Sequence, residues 1–465
     1  MIVKLLALLL IGIAVSIAVM MSPVTAQLVP QARAVATAQT LQTASPIVAA
    51  SSARNPAGIV LVSDSEVDAK RLGITASAML PDEERSLLLA FEALASSRLD
   101  AAEHHLRPLL AKFPEFHLAR LTLADVLMAR SGRLVDFASG AAGKRVETLR
   151  QEALVRLANA RNANLRVRQP DVLLQMSESQ SRAVVVDLSA SRMYLYHNVD
   201  GALRLERSFY VSIGKNGAAK RIEGDQRTPV GVYFVTGRID GAALPDFFGP
   251  GALAVNYPNE WDLRARRTGY GIWIHGVPSD TFARAPRASD GCIALSNEHI
   301  SLLLNLPQGK DTPVIIADGL NWLEASELKK RRGDFNAVLE RWIRDWESAD
   351  LGRYGAHYSR DFHSEDRERA TWLNHKRRVN AAKQFIKVSL SDVSVFAYPG
   401  ERDMVVVTFE QDYQSSNFSN RSRKRQYWRK EAGGVWRIVF EGPVKLRSEQ
   451  LRGMPYSARA RASLR

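Results

Sequence analysis

Cys292 is the only cysteine in the 465 residues, and it closes the turn Ser289-Asp290-Gly291-Cys292. His275 stands upstream of it, at the end of the apolar run Ile272-Trp273-Ile274 and followed by Gly276. A thiol becomes a nucleophile when a neighbour takes its proton or stabilises the thiolate, and histidine is the usual partner. The apolar run reads as a strand that would fix the imidazole, and Gly276 leaves room around it. Backbone amides of such a tight turn can converge on a developing oxyanion. Residue types alone leave a second reading open, in which Cys292 is a small buried hydrophobe and His275 a strand-end histidine with a satisfied hydrogen bond.

Other histidines carry less. His299 follows Cys292 at the start of a helical pattern and reads as structural. His104, His105 and His117 lack carboxylate or cysteine partners at ligand spacing, so no metal is expected there.

The elements that must position the pair follow from the periodicity. From Ala183 the pattern is strand-like: Ala183–Leu188, Met193–Tyr196, Leu203–Val211, Gly231–Val235, Gly271–Ile274 and Thr312–Ile316, separated by Gly, Pro and Ser turns. A β-rich domain over 182–319 is predicted. Before it, residues 82–165 repeat apolar positions at helical spacing and resemble a tetratricopeptide unit, with at most one and a half repeats. After it, the charged stretch 325–332 reads as a linker. A tryptophan-bearing helix then leads into a meander of strands, an α+β domain over 334–445. Residues 446–465 form a basic tail with few core residues, expected to be disordered.

Lysine and arginine number 63 against 49 acids, a net charge of +14 that favours an anionic partner. Met1–Lys4, the apolar run Leu5–Met21 and Val24-Thr25-Ala26 have the layout of a secretory signal peptide over 1–26, with an uncleaved inner-membrane anchor as the other reading. Residues 27–80, rich in Ala, Ser, Thr and Val, read as a flexible tether. Export to the periplasm excludes nucleic acid as a partner. It also makes a single thiol notable, since it cannot form an internal disulfide.

Taken with the segment between them, these motifs resemble a known family. H-G, an intervening segment, and S-x-G-C-I-x-L, preceded upstream by a G-K turn and T-P-V-G-V-Y, are similar to the signature of the YkuD-type L,D-transpeptidases, over about 182–318. The resemblance implies that Cys292 attacks a meso-diaminopimelate carbonyl in a peptidoglycan stem peptide, with His275 as base and the Gly276 carbonyl orienting it. The Asp290, Gly291 and Cys292 amides would form the oxyanion hole. D-Alanine would leave, and an amine or water would resolve the acyl-enzyme, with no cofactor required. An amine makes the protein a transpeptidase. Water makes it an L,D-carboxypeptidase, or a hydrolase that frees a lipoprotein from peptidoglycan. A non-catalytic wall-binding protein is a further alternative, and the oligomeric state is left open.

Two positions depart from the family pattern. Asp290 stands where histidine is frequent, and Ala294 where many members carry arginine, as in a YafK-like subgroup. Asp290 reads as a turn residue or as a contact for a cationic substrate group. Arg264, Arg266 and Arg267 are candidates for binding glycan or a stem-peptide carboxylate, or else form a solvated basic loop. The C-terminal domain resembles the NTF2-like (SnoaL-like) cone, an accessory binding module whose pocket His357, Asp361 and His363 would line.

Overall fold

The computed structural model describes residues 79–134, 136–137, 143–160, 168–306 and 312–444. The signal segment, the tether up to residue 78 and the tail 446–465 lie outside the described residues. No helix among the described residues is long and apolar enough to cross a membrane.

Four helices open the described chain: α1 (Asp82–Ala95), α2 (Leu99–Lys112), α3 (His117–Arg130) and α4 (Lys144–Ala160). Leu87, Leu88, Leu94, Ala102, Leu106, Leu109, Leu118 and Val126 are buried together, which is the helical stripe expected from their spacing. Leu80, read as the end of the tether, belongs to this core.

The central element is an eight-stranded mixed sheet. Its strands are β3 (Arg182–Asp187), β4 (Arg192–Val199), β5 (Ala202–Tyr210), β7 (Gly231–Asp240), β8 (Gly251–Val255), β9 (Trp273–His275), β11 (Ile293–Ala294) and β12 (Pro313–Ala317). They lie in the order β11-β9-β8-β7-β12-β3-β4-β5. A parallel pair, β6 (Ile213–Gly214) and β10 (Arg287–Ser289), lies beside it. Strands β3 and β12 are apolar along almost their whole length because both faces of the sheet are covered. Val184, Val186, Val314 and Ile316 face the core shared with Ile274, Ile293 and helix α6 (Asn297–Asn305). Ala183, Val185 and Ile315 face the other way, onto Phe396, Tyr398, Met404 and Val406 of the C-terminal domain.

That domain has helices α7 (Ala325–Glu347), α8 (Leu351–Ala356) and α9 (Arg369–Asn380) against a six-stranded sheet. The sheet is ordered β14 (Tyr358–His363), β18 (Trp436–Pro443), β17 (Phe418–Lys430), β16 (Met404–Ser415), β15 (Ile386–Ala397), β2 (Leu173–Gln175). Residues 325–332 are the first turns of α7 and not a linker. Leu328 is buried there, and Gly333 continues the helix at a cost of about 1 kcal/mol relative to alanine. Strand β2 comes from ahead of the central sheet, with Leu173 opposite Phe396. Strands β1 (Arg168–Pro170) and β13 (Trp322–Glu324) likewise pair across the two ends of the central domain.

The helical layer is bolted to the sheet by buried charge. Glu84 Oε1 accepts from Arg192 Nη1 at 2.5 Å and lies 3.4 Å from Arg156, which pairs with Glu152 at 2.8 Å. Burial alone would push the Glu84 carboxyl up, but the two guanidiniums outweigh it and hold it below its ordinary value. Glu83 meets His299 Nε2 at 2.5 Å, so His299 is structural. Glu84→Gln leaves Arg192 buried without its countercharge and should cost about 3–5 kcal/mol in urea unfolding. In the unmodified chain the Glu84 contribution is present above the ordinary carboxylate pKa. It is lost as pH falls through the depressed value.

Candidate active site

His275 ends β9, which is held on one side by β8 and on the other by β11. Ile293 lies opposite Ile274 in the parallel pair, and both point into the core. Alternation along the strands therefore puts Cys292, one residue before β11, on the same side as Trp273 and His275. The imidazole is 1% exposed, and its Nδ1 lies 2.6 Å from the Gly276 carbonyl oxygen. A carbonyl only accepts, so Nδ1 carries the proton and Nε2 keeps its lone pair. Gly276 is required by crowding, because a Cβ there would meet Asn297 Oδ1 at 2.4 Å. Asn297, at the start of α6, accepts from Val277 N at 2.9 Å, and Gly276 N donates to Phe248 O at 2.9 Å. The Phe248 ring stands 5.0 Å from the imidazole. This apolar burial, helped by Arg284 and opposed by the Gly276 bond, brings His275 down to about 4.

Cys292 is half-buried, and its Sγ donates to Gly271 O at 3.5 Å. Burial pushes the thiol up to about 11. The Trp273 amide acts against that shift, Asp290 adds to it, and Arg284 and Lys220 oppose it. Both partners are thus neutral at pH 7. The arrangement suits general-base catalysis, in which the proton moves as the sulfur attacks, and not a standing thiolate–imidazolium pair.

The turn before Cys292 depends on Gly291, at φ +125 with Arg227 O where a Cβ would sit, 2.7 Å away. Ser289 Oγ accepts from Gly291 N at 3.1 Å and donates to Cys292 O at 2.6 Å. The Gly291 amide is therefore committed to Ser289 and is not free for the oxyanion hole expected of it; of that expected set, the amides of Asp290 and Cys292 remain. Asp290 accepts from Lys215 Nζ at 2.8 Å and from Gln226 Nε2 at 3.0 Å. Its carboxylate pins the 213–228 loop to the turn, the structural role of the two expected. Thr228, of the T-P-V-G-V-Y motif, accepts from Gly214 N through Oγ1 at 2.9 Å and so ties that motif to β6, the strand that pairs with β10.

Arg264 and Arg267 are engaged elsewhere. Arg264 donates to Val439 O and Asp361 O, at 2.9 and 2.5 Å, and Arg267 pairs with Asp262 at 2.8 Å and Glu401 at 3.7 Å. Both fasten the C-terminal domain, which replaces the substrate contact expected of them; Arg266 is exposed on a left-handed turn. Sequence reasoning missed Arg284, whose guanidinium lies 3.9 Å over the Phe247 ring and donates to Phe247 O at 2.8 Å. It sits in the stretch between His275 and Cys292 that the motif treats as a spacer.

The cone holds a cavity of about 600 Å3, lined by Trp346, Lys376, Lys383, Tyr413 and Lys424. Burial and the neighbouring Lys424 draw Lys376 down to about 7. The three residues expected there lie elsewhere: His357 is held by Asp345 at 2.7 Å, His363 is exposed, and the Asp361 carbonyl meets Arg264.

Thiol alkylation checks the electrostatics. The thiolate fraction at pH 7 is on the order of one in ten thousand for a group near 11. The rate of Cys292 alkylation by iodoacetamide should rise about tenfold per pH unit from pH 7 to 10, without levelling near the ordinary thiol value. Asp290→Asn removes a neighbouring negative charge and should speed alkylation at pH 8; an unchanged rate would refute the assigned influence.

Comparison with known proteins agrees with this architecture. Residues 181–316 match the family described as the L,D-transpeptidase catalytic domain, YkuD. Residues 334–442 match the Cds6 C-terminal NTF2-like domain. Among solved structures, Bd1075 of Bdellovibrio bacteriovorus is 27% identical, with a TM-score of 0.53, over 60% of this chain and 99% of that one. The helical cell shape determining protein Pgp2 of Campylobacter jejuni is 24% identical, with a TM-score of 0.49, over 63% of this chain and 98% of that one. No curated protein matches the chain.

Proposed function

With residues 181–316 a YkuD-type L,D-transpeptidase catalytic domain and residues 334–442 an NTF2-like one, we propose that this chain is an exported, cysteine-dependent L,D-transpeptidase acting on peptidoglycan stem peptides. The observation that carries the reading is the His275 Nδ1 bond to the Gly276 carbonyl, 2.6 Å long, which leaves Nε2 as a base on the side of the sheet that bears Cys292.

The thiol turns from Gly271 O toward Nε2. The sulfur then attacks the carbonyl carbon that joins the L-centre of meso-diaminopimelate to D-alanine, and His275 takes the thiol proton. Charge developing on the carbonyl oxygen is met by the amides of Asp290 and Cys292. As the tetrahedral species collapses, the C–N bond breaks and His275 returns the proton to the departing amine, leaving a thioester on Cys292. An amine of a second stem peptide resolves it as a cross-link. Water in its place gives L,D-carboxypeptidase action, or release of a wall-bound lipoprotein. The net charge of +14 suits a polymer rich in carboxylates. The basic cavity of the cone suits an anionic group of the same wall.

Incubation with disaccharide-tetrapeptide tests the reading. Cross-linked dimers are expected, with an acyl-enzyme at Cys292 visible by intact-protein mass spectrometry. Tripeptide alone would replace transpeptidation by hydrolysis. Sacculus binding without turnover would replace both by a wall-binding role. Cys292→Ala should abolish turnover, and His275→Ala should lower kcat by about 10^2 to 10^4. Export to the periplasm rests on residues 1–26 and is checked by fractionation; an N-terminus at Gln27 would mean cleavage, and one at Met1 in the membrane fraction an anchor.

A further inference from the structure

We propose that Arg284 is a specificity-determining residue of this site, binding the free C-terminal carboxylate of the stem peptide next to the bond that Cys292 attacks. The inference rests on the stem-peptide reading above.

The loop that carries Arg284 is fixed from several sides. Phe282 stacks on Phe116 of the helical layer at 4.1 Å, packs 5.1 Å from Phe113, and its amide donates to Glu115 O at 3.3 Å. Tyr210 Oη donates to the Arg284 carbonyl at 2.8 Å. The side chain lies flat on Phe247, with one nitrogen on Phe247 O. A guanidinium has five N–H donors in a planar fork, so a face that matches a carboxylate remains.

No carboxylate among the described residues takes that face. Among the described residues Arg284 makes no ion pair, and Asp290, the acid whose charge reaches it, is bound by Lys215 and Gln226. Arg284 is half-buried, and the Phe247 ring beneath its guanidinium lies 6.3 Å from the His275 imidazole, which places the cation beside the His275–Cys292 pair. Ala294, on the strand after the thiol, is buried and brings no cation of its own.

Substrate chemistry says which anion belongs there. In a tetrapeptide the terminal carboxylate is three bonds from the carbonyl carbon that the sulfur attacks. The carboxylate on the diaminopimelate side chain lies at the far end of that side chain. A fifth residue would carry the terminal charge about 3.5 Å further along the chain, out of register with a fixed guanidinium. Arg284 would therefore favour tetrapeptide over pentapeptide, as well as free acid over amide.

Binding to the Cys292→Ala protein, followed by calorimetry, tests this without requiring turnover. Three ligands are compared: the tetrapeptide, its C-terminal amide, and the tetrapeptide amidated on the diaminopimelate side chain. The free acid should bind about tenfold to a hundredfold more tightly than the C-terminal amide, the range for a charged hydrogen-bonded contact. Adding Arg284→Ala should erase that preference while leaving the amide's affinity unchanged. Arg284→Lys, which keeps the charge but not the fork, should restore part of it. Equal binding of acid and C-terminal amide by the Cys292→Ala protein, or a preference that survives Arg284→Ala, overturns the assignment. So does a loss confined to the side-chain carboxylate. Turnover by the unsubstituted protein separately tests the reading on which the inference depends.

Discussion

The hydrogen bond between His275 Nδ1 and its neighbour's carbonyl constrains most of what surrounds it. It forces the H-G turn to fold back on the imidazole, and that turn fits only if Gly276 has no side chain. The bend is then held from outside, by Asn297 at the head of α6 and by the Phe248 carbonyl. A carbonyl partner, unlike a carboxylate, orients the ring without adding charge. The buried imidazole therefore remains neutral, and the thiol beside it remains a thiol. The resting site is protected from adventitious oxidation and alkylation, which proceed through the thiolate. Its reactivity depends on a substrate that draws the proton transfer and the attack into one event.

The accessory layers are parts of this site's architecture. One face of the central sheet packs on its own helix and the other on the C-terminal domain, so neither face of β3 or β12 is stable in water alone. Arginines 264 and 425 cross that boundary, the latter pairing with Glu260 at 2.8 Å. On the opposite side the helical layer packs on Phe282, two residues from Arg284 in the segment between His275 and Cys292.

What could be read from the sequence divides by distance along the chain. Cys292, His275 and Gly276 were legible because each sits in a short motif whose residue types already imply the chemistry. The helical and β-rich segments were legible from periods long enough to count. Strands β1, β2 and β13 have three residues each, too few to show alternation, and exist only through partners far away in sequence. The start of α7 reads as a charged linker because only Leu328 in those turns is buried. Arg264 and Arg267 look like a solvated basic loop until the C-terminal domain lies against them. Arg284 was hidden for a related reason: its surroundings, Phe247, Tyr210 and the loop held by Phe116, come from separate segments that no local pattern links. The oxyanion turn was read one amide too generously, since nothing in S-D-G-C reveals that the serine hydroxyl occupies the glycine amide.

The pairing of β2 with β15 also bears on time. Leu173 emerges long before Phe396, its partner, and the strands between them form the central sheet. Contacts so distant in sequence are slow to close. One face of the sheet stays uncovered until the C-terminal residues have followed it out. A chain cut short during synthesis would carry the entire Cys292 motif but not the layer that covers the second face of its sheet. The sheet that carries the proposed site is thus covered on both faces only once the polypeptide is whole.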